Sequence, residues 1–263
     1  MHDELIKTKL DALYDAYNNP AYIHPDPLEF LFNYRNLEDR EIVAIIAAAL
    51  AYGRVNQILK SVRRVLQIMG PAPLGYLKNA SAESLQEHFA GFAHRFASAK
   101  NLCAFLLALK QLIQNHGSLY ECFLSGYSRK DDTVLPALIE FSRKLHGMDN
   151  LTPGHLVARP EKGSACKRLN LFLRWMIRTD AVDPGGWDEV QASKLIVPLD
   201  VHMHRSGILL GFTRRKQADM RTVLEITAGF RRIAPEDPVK YDFALTRLGI
   251  LKETDLESYL RSA

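Results

Sequence analysis

Residues 163–178 have the sequence GSACKRLNLFLRWMIR, in which a turn of small residues leads into an amphipathic helix. Its apolar residues recur with the 3.6-residue period of an α-helix, and they are Leu169, Phe172, Leu173, Met176 and Ile177. Lys167 falls in the predicted first turn, where the positive end of the helix dipole disfavours an ammonium group. A turn of small residues also lets backbone N–H groups approach a phosphate. The segment predicts either a functional lysine or an ordinary solvated lysine at a loop–helix junction.

The same helical periodicity extends over most of the chain. Further helices are predicted at residues 36–52, 55–69, 99–116, 132–146, 201–212, 220–233 and 239–250. No stretch has the sustained apolar–polar alternation with β-branched residues that a half-buried strand requires. The sequence therefore predicts an all-α fold, and its length allows either one sizeable core or two lobes that share a cleft. In the two-lobed arrangement, we expect one lobe to comprise residues 36–195, and the other to comprise residues 1–35 together with residues 196–263.

The amino-acid composition of the chain limits the partners and cofactors that can be expected. The 263 residues carry a net charge of +4, which permits a polyanionic partner without requiring one. The longest apolar run, residues 42–52, is shorter than the ~20 residues that cross a bilayer, so no membrane partner is expected. Three widely spaced cysteines predict neither a disulfide framework nor a zinc or iron–sulfur site. We therefore expect a cytoplasmic protein without a cofactor.

A second stretch, PLDVHMHR at residues 198–205, places an aspartate among apolar residues where a helix should begin. As the N-cap of that helix, Asp200 would accept backbone N–H groups and remain ionised. The alternative is that Asp200 is only a structural cap. His202 and His204 are two residues apart, so they diverge on a helix and do not predict a metal site.

These segments resemble the helix-hairpin-helix DNA glycosylases of the endonuclease III type. GSACKRLNLFL is similar to that family's hairpin Gly-x-Gly-x-Lys-x-x-Asn-x-x-Leu, with Ala165 in place of the second glycine. Asp200, His202 and Arg205 match its Asp-x-His-x-x-Arg segment, and IAPEDP and DFALTRLG follow in the family's order. AAALAYGRVNQ resembles a helix that ends in a DNA-facing loop, although Leu50 replaces the inserting glutamine of that type.

Two other resemblances refine this one. The 33-residue spacing from Lys167 to Asp200 (200 − 167) is similar to that of the archaeal 8-oxoguanine glycosylases. The blocks KRLNLFLRWMIR and PLDVH also resemble an uncharacterised bacterial family. The four-cysteine cluster of the endonuclease III type is absent, so the resemblance implies no iron–sulfur cluster.

The resemblance implies a base-excision glycosylase with strand-cleaving lyase activity on an oxidised base such as 8-oxoguanine. Lys167 would attack the sugar as a neutral amine, and Asp200 would stabilise the positive charge that develops there. The alternative is a non-catalytic nucleic-acid-binding protein of the same fold. Double-stranded DNA is the expected partner of a monomeric, nucleoid-associated protein.

The remaining predicted site residues fall into two groups. Those expected to bind DNA are Gly163, Ser164, Ala165, Arg168, Arg54 and Arg205. Those expected to line the pocket for a flipped base are His202, Trp175, Tyr52 and Trp187. For the aromatic residues the alternative is core packing, and for the arginines it is a surface ion pair.

Overall fold

Helices form nearly all of the regular structure in the computed structural model, which describes residues 2–147, 152–251 and 256–261. The α-helices are α1 (His2–Tyr17), α2 (Leu37–Ala49), α3 (Val55–Met69), α4 (Pro73–Asn79), α5 (Ala82–His88), α6 (Ala99–His116), α7 (Leu119–Leu124), α8 (Leu135–His146), α9 (Lys167–Ile177), α10 (Val201–Leu209), α11 (Met220–Ile233), α12 (Asp242–Leu251) and α13 (Leu256–Arg261). Short 3-10 helices lie at Pro20–Tyr22, Pro27–Asn33, Gly154–Leu156, Pro160–Lys162 and Ala192–Lys194. Strands β1 (Ala93–His94) and β2 (Ala97–Ser98) pair antiparallel. The predicted all-α fold is confirmed.

The helix ends follow the capping chemistry of the sequence. The side chain of Asn36 accepts the N–H of Asp39 at 2.9 Å and begins α2, while Gly70 and Gly117 cap the ends of α3 and α6. Helix α2 ends at Ala49, earlier than the predicted stop at Gly53. After α2 the backbone hydrogen bonds span fewer residues, and the N–H of residue 52 donates to the carbonyl of residue 50. Gly53 then adopts a φ of +103°.

The chain divides into two compact units. The first contains the residues before His24, residues 129–134 and the residues from Pro160 onward; the second contains residues 24–128 and 135–159. These bounds differ from the predicted lobes, because α9 belongs with α10, α11 and α12, and the 3-10 helix Pro27–Asn33 packs on α2. Lys167 and Asp200 therefore belong to the same unit. No helix in the described part of the chain has the length and apolarity needed to cross a membrane.

In the second unit, α6 contacts α4, α5, α7 and α8, and its buried face is almost wholly apolar. Glu41 is the buried carboxylate of this core. It accepts the N–H groups of Leu119 at 2.8 Å and Tyr120 at 3.1 Å, which would otherwise be unpaired at the start of α7. The Glu41 side chain of α2 thus fixes where α7 begins.

In the first unit, α1 and α10 both pack against α11 and α12. Gly207 allows α10 to approach α11 closely, because a Cβ atom there would lie 2.5 Å from the side chain of Ile226. Asp11 of α1 accepts hydrogen bonds from Lys240 at 2.6 Å, Tyr241 at 2.8 Å and Lys7 at 2.7 Å. Burial opposes its charge, but these three donors together lower the pKa of Asp11 to about 2. Asp11 therefore holds α1 to the chain before α12 as an ionised group.

Asp11→Asn should lower the free energy of unfolding at pH 7 by on the order of 1 kcal/mol, because solvent screens this half-buried cluster. Since the folded-state pKa lies below the unfolded value, the contribution is fully present above about pH 4. It is lost as the pH falls through about 2. Denaturant titrations from pH 7 to pH 2 measure the difference. Asp15→Asn on the exposed face of α1 is the control. A penalty for Asp11→Asn that does not depend on pH would contradict this assignment.

Candidate active site

Lys167 and Asp200 meet in the first unit. The Lys167 Nζ lies 3.3 Å from Asp200 Oδ2, and the two side chains are 36% and 19% exposed. Both residues stand at helix N-termini, Lys167 as the first residue of α9 and Asp200 as the N-cap of α10. The pair is close enough for proton exchange and open enough for a substrate to reach it.

Asp200 has the capping role that its sequence context predicts. Its backbone is extended, and Oδ1 accepts the N–H of Met203 at 2.8 Å. The other carboxylate oxygen is the one directed at Lys167. Capping therefore fixes the orientation of the carboxylate while leaving one oxygen for chemistry. Val201, the next residue, is 78% exposed, so an apolar surface lies beside the pair.

The turn before α9 is held by backbone bonds to the start of α11. Gly163 has a φ of +80°, and its carbonyl accepts the N–H of Met220 at 3.0 Å. Ser164 forms an isolated β-bridge with Asp219. Cys166 adopts a left-handed conformation, with a φ of 49°, and directs the chain into α9. The element that precedes this turn is the 3-10 helix Pro160–Lys162, not an α-helix, which departs from the expected helix-hairpin-helix.

As the first residue of α9, Lys167 has an N–H group with no acceptor inside the helix, and Cys166 before it makes no side-chain cap. Ala165 is half-buried and Gly163 is exposed, so the turn is accessible. Arg168 is half-buried and Arg205 is exposed. The predicted phosphate-binding residues of the first unit therefore lie in accessible positions near the start of α9 and along α10.

The same unit contains a buried ionic cluster that was not predicted from the sequence. Arg174 donates to Asp183 at 2.8 Å through Nη2 and at 3.1 Å through Nε, and its Nη1 binds Asp242 at the start of α12. Arg178, one turn later, binds Asp180 and Asp237 at 2.8 Å each and also contacts Asp183. Arg174, Asp183 and Asp242 are each less than 5% exposed. These bonds fix α9 to the start of α12.

The cluster contains four carboxyl groups and two guanidinium groups, and the pKa of two of these carboxyl groups is raised. Burial raises the pKa of Asp242 to about 6, although Arg174 opposes the rise, and the charge of Asp200 adds to it. Burial likewise raises the pKa of Asp237 against the effect of Arg178. Lys167 also acts electrostatically on Asp242. The cluster is therefore coupled to the Lys167–Asp200 pair through Asp242.

Two of the four predicted pocket residues, Trp175 and Trp187, lie in the core of the first unit. Trp175 and Trp187 are fully buried, and Trp187 packs edge-on against Phe172 with ring centroids 5.1 Å apart. This placement assigns both indoles to the core of the first unit, because neither has a surface on which a base could stack. Tyr52 and the exposed Arg54 belong to the second unit, where Tyr52 contacts His94.

The two histidines of α10 have different partners. The ring of His202 lies over Gly249 of α12, where a Cβ atom would be 2.7 Å from Nδ1. His204 Nε2 lies 2.8 Å from the carbonyl oxygen of Arg215. The DFALTRLG segment therefore supplies a buried acid, Asp242, at one end and space for His202 at the other. Among the described residues, no group of three or more His, Cys, Asp or Glu side chains could hold a metal ion.

One sequence signal could have revealed the cluster. Arg174 is three residues after Leu171 and three before Ile177, a spacing that places it on the same side of the helix as these apolar residues. Arginine is almost never fully buried unless it is paired. Its acidic partners, Asp183 and Asp242, are 9 and 68 positions away, and no local pattern relates them to it.

Arg174→Met should lower the free energy of unfolding by about 3–5 kcal/mol, because it leaves Asp183 and Asp242 buried without their cation. Arg221→Met, on an exposed position of α11, should change it by less than about 0.5 kcal/mol. Urea denaturation of the two variants and the parent chain provides the comparison. Equal effects of the two substitutions on the free energy of unfolding would contradict a structural role for the cluster.

One family model matches this chain over residues 26–251, that of the family described as Protein of unknown function (DUF2400). No curated protein matches the chain, and neither does any solved structure. Membership of an uncharacterised family is thus confirmed. Because the matched range covers most of the sequence, the chain belongs to the DUF2400 family.

Proposed function

We propose that this chain is a DNA glycosylase with abasic-site lyase activity, in which Lys167 is the nucleophile and Asp200 its carboxylate partner. The observation that carries the proposal is the 3.3 Å approach of Lys167 Nζ to Asp200 Oδ2 at the start of two helices. A lysine directed into bulk solvent would have argued against an enzyme. The order of motifs along the chain, similar to that of helix-hairpin-helix glycosylases, supports a place in that superfamily.

The chemistry assigns a separate task to each side chain. As the bond from the sugar carbon to the base breaks, positive charge develops on the sugar, and the ionised Asp200 stabilises it. The base leaves with the electron pair of that bond and takes up a proton. The unprotonated Lys167 amine supplies the electron pair of the new carbon–nitrogen bond. Ring opening and loss of a proton from the adjacent carbon then expel the 3′ phosphate, which cleaves the strand.

DNA is the proposed partner for reasons of charge and geometry. The N–H of Lys167 at the start of α9 is suited to a backbone phosphate, and Arg168 and Arg205 add positive charge in the same unit. Such contacts bind without reading sequence, as a lesion-directed enzyme requires. The target base must leave the helical stack to reach Lys167. We propose an oxidised base such as 8-oxoguanine as the substrate.

The second candidate function is a non-catalytic nucleic-acid-binding protein of the same fold. Two observations favour it: Ala165 stands where the similar hairpins have glycine, and only a three-residue 3-10 helix precedes the turn. Both candidates predict DNA binding, but only the enzyme predicts a covalent intermediate.

Borohydride trapping on duplexes that each carry one oxidised base or an abasic site separates the two functions. The parent chain should form a covalent complex, because reduction converts the Schiff base into a stable amine. Lys167→Ala should abolish it. The matched control is Lys162→Ala, an exposed lysine before the same turn, which should retain it. Tight DNA binding without a trapped complex on any duplex would favour the non-catalytic function.

A further inference from the structure

The ribbon formed by β1 and β2 in the second unit has an exposed phenylalanine at its tip. Ala93 pairs with Ser98 and His94 with Ala97, so Arg95 and Phe96 form a two-residue turn. Arg95 has a φ of 51°, a conformation that costs a residue other than glycine about 1 kcal/mol or more. Phe96 is 69% exposed. The ribbon therefore maintains a strained turn that presents an aromatic ring to solvent.

The base of the ribbon is fixed to the unit. His94 is buried, with Nε2 3.1 Å from the carbonyl oxygen of Tyr52 and Nδ1 2.9 Å from Ser61 Oγ. The hydroxyl of Tyr52 donates to the carbonyl of His94 at 2.8 Å. Ala97 is also buried. These bonds hold the strands in place, so the tip is positioned before any ligand binds.

The contacts of Phe96 leave most of its ring available. The ring of His155 meets it at an interplanar angle of 71° with centroids 5.3 Å apart, and the Arg95 guanidinium lies 5.5 Å from its centroid. An edge contact and a cation support the orientation of a ring without covering it. A single exposed apolar residue is common on protein surfaces. The strained turn and the fixed strands distinguish this one.

Two arginines supply positive charge near the tip, Arg95 and Arg54. The side chain of Arg95 lies against Gly53, where a Cβ atom would be 2.7 Å from its Cδ, and Arg54 is the next residue. Both arginines are exposed, and within the described part of the chain neither forms an ion pair. An aromatic ring flanked by two arginines that form no ion pair complements a base with its two phosphates.

We propose that the Arg95–Phe96 tip is a nucleobase-stacking site, in which the Phe96 ring stacks on an unpaired DNA base and Arg54 and Arg95 contact the adjacent phosphates. Every base has a π-face, so such a site binds without preference for sequence. The proposal extends DNA binding to the second unit. It does not depend on the Lys167 chemistry, and it can fail or succeed independently of it.

The test is fluorescence anisotropy of the full chain with a labelled single-stranded oligonucleotide at low salt. Phe96→Ala should weaken binding by about 5- to 100-fold, because stacking of one base is lost. The matched control is Phe32→Ala, which removes a 49% exposed phenylalanine of the same unit and should leave the affinity within about twofold. Phe96→Trp should retain binding, and its indole fluorescence should be quenched when DNA is added. Thermal melting confirms that each variant is folded.

Arg95→Gly tests the phosphate contact separately, since glycine adopts the same φ without strain. It should reduce the slope of log affinity against log salt concentration by the amount that about one phosphate contact contributes. Equal losses for Phe96→Ala and Phe32→Ala would overturn the stacking site, and so would an unchanged affinity for Phe96→Ala or the absence of binding by the parent chain. The oligonucleotide carries no oxidised base or abasic site, so this test does not report on the lysine chemistry, whose failure borohydride trapping alone would reveal.

Discussion

The buried guanidinium of Arg174 is the constraint on which the candidate active site depends. A charge in this position is tolerated only when it is paired, and Arg174 takes Asp183 from the chain after α9 and Asp242 from α12. These bonds fix the axis of α9 within the first unit. Because α10 packs on α12, the same bonds determine where Lys167 at the start of α9 lies relative to Asp200 at the start of α10.

The ion pairs of this unit differ in burial. The structural pairs of Arg174 are buried, whereas the pair that we propose to react is partly exposed. Arg174 and Asp183 are closed to solvent and their charges are satisfied within the protein. Lys167 and Asp200 are 36% and 19% exposed, and their distance of 3.3 Å is longer than the 2.8 Å of the buried pair. Asp242 connects the two sets, since it binds Arg174 and is influenced electrostatically by both members of the exposed pair. Asp242 therefore connects the buried cluster electrostatically to the pair that we propose to react.

Local signals in the sequence predicted the helices and the positions of Lys167 and Asp200 at helix starts, but not the ion pairs between residues far apart in the chain. The N-cap at Asp200 and the lysine in the first turn of α9 follow from capping rules and periodicity. That these two residues meet was expected only from the resemblance to glycosylases. The cluster around Arg174 was missed, because its partners are brought together by tertiary packing. Trp175 and Trp187 were proposed as pocket residues on aromatic character alone, and their complete burial reflects the area that an indole gains by packing in a core. The ribbon that carries Phe96 was also missed, since strands of two residues leave no periodic pattern.

In the proposed reaction, the amine of Lys167, and no other amine of the chain, bonds to the sugar of a damaged nucleotide. The most direct measurement is peptide mapping by mass spectrometry of the borohydride-reduced complex between the full chain and a lesion-containing duplex. We predict that the deoxyribose remnant is found on Lys167. A remnant on another lysine, such as Lys162 before the turn or Lys216 before α11, would contradict the assignment, and so would a fully unmodified Lys167 in a complex that has been trapped.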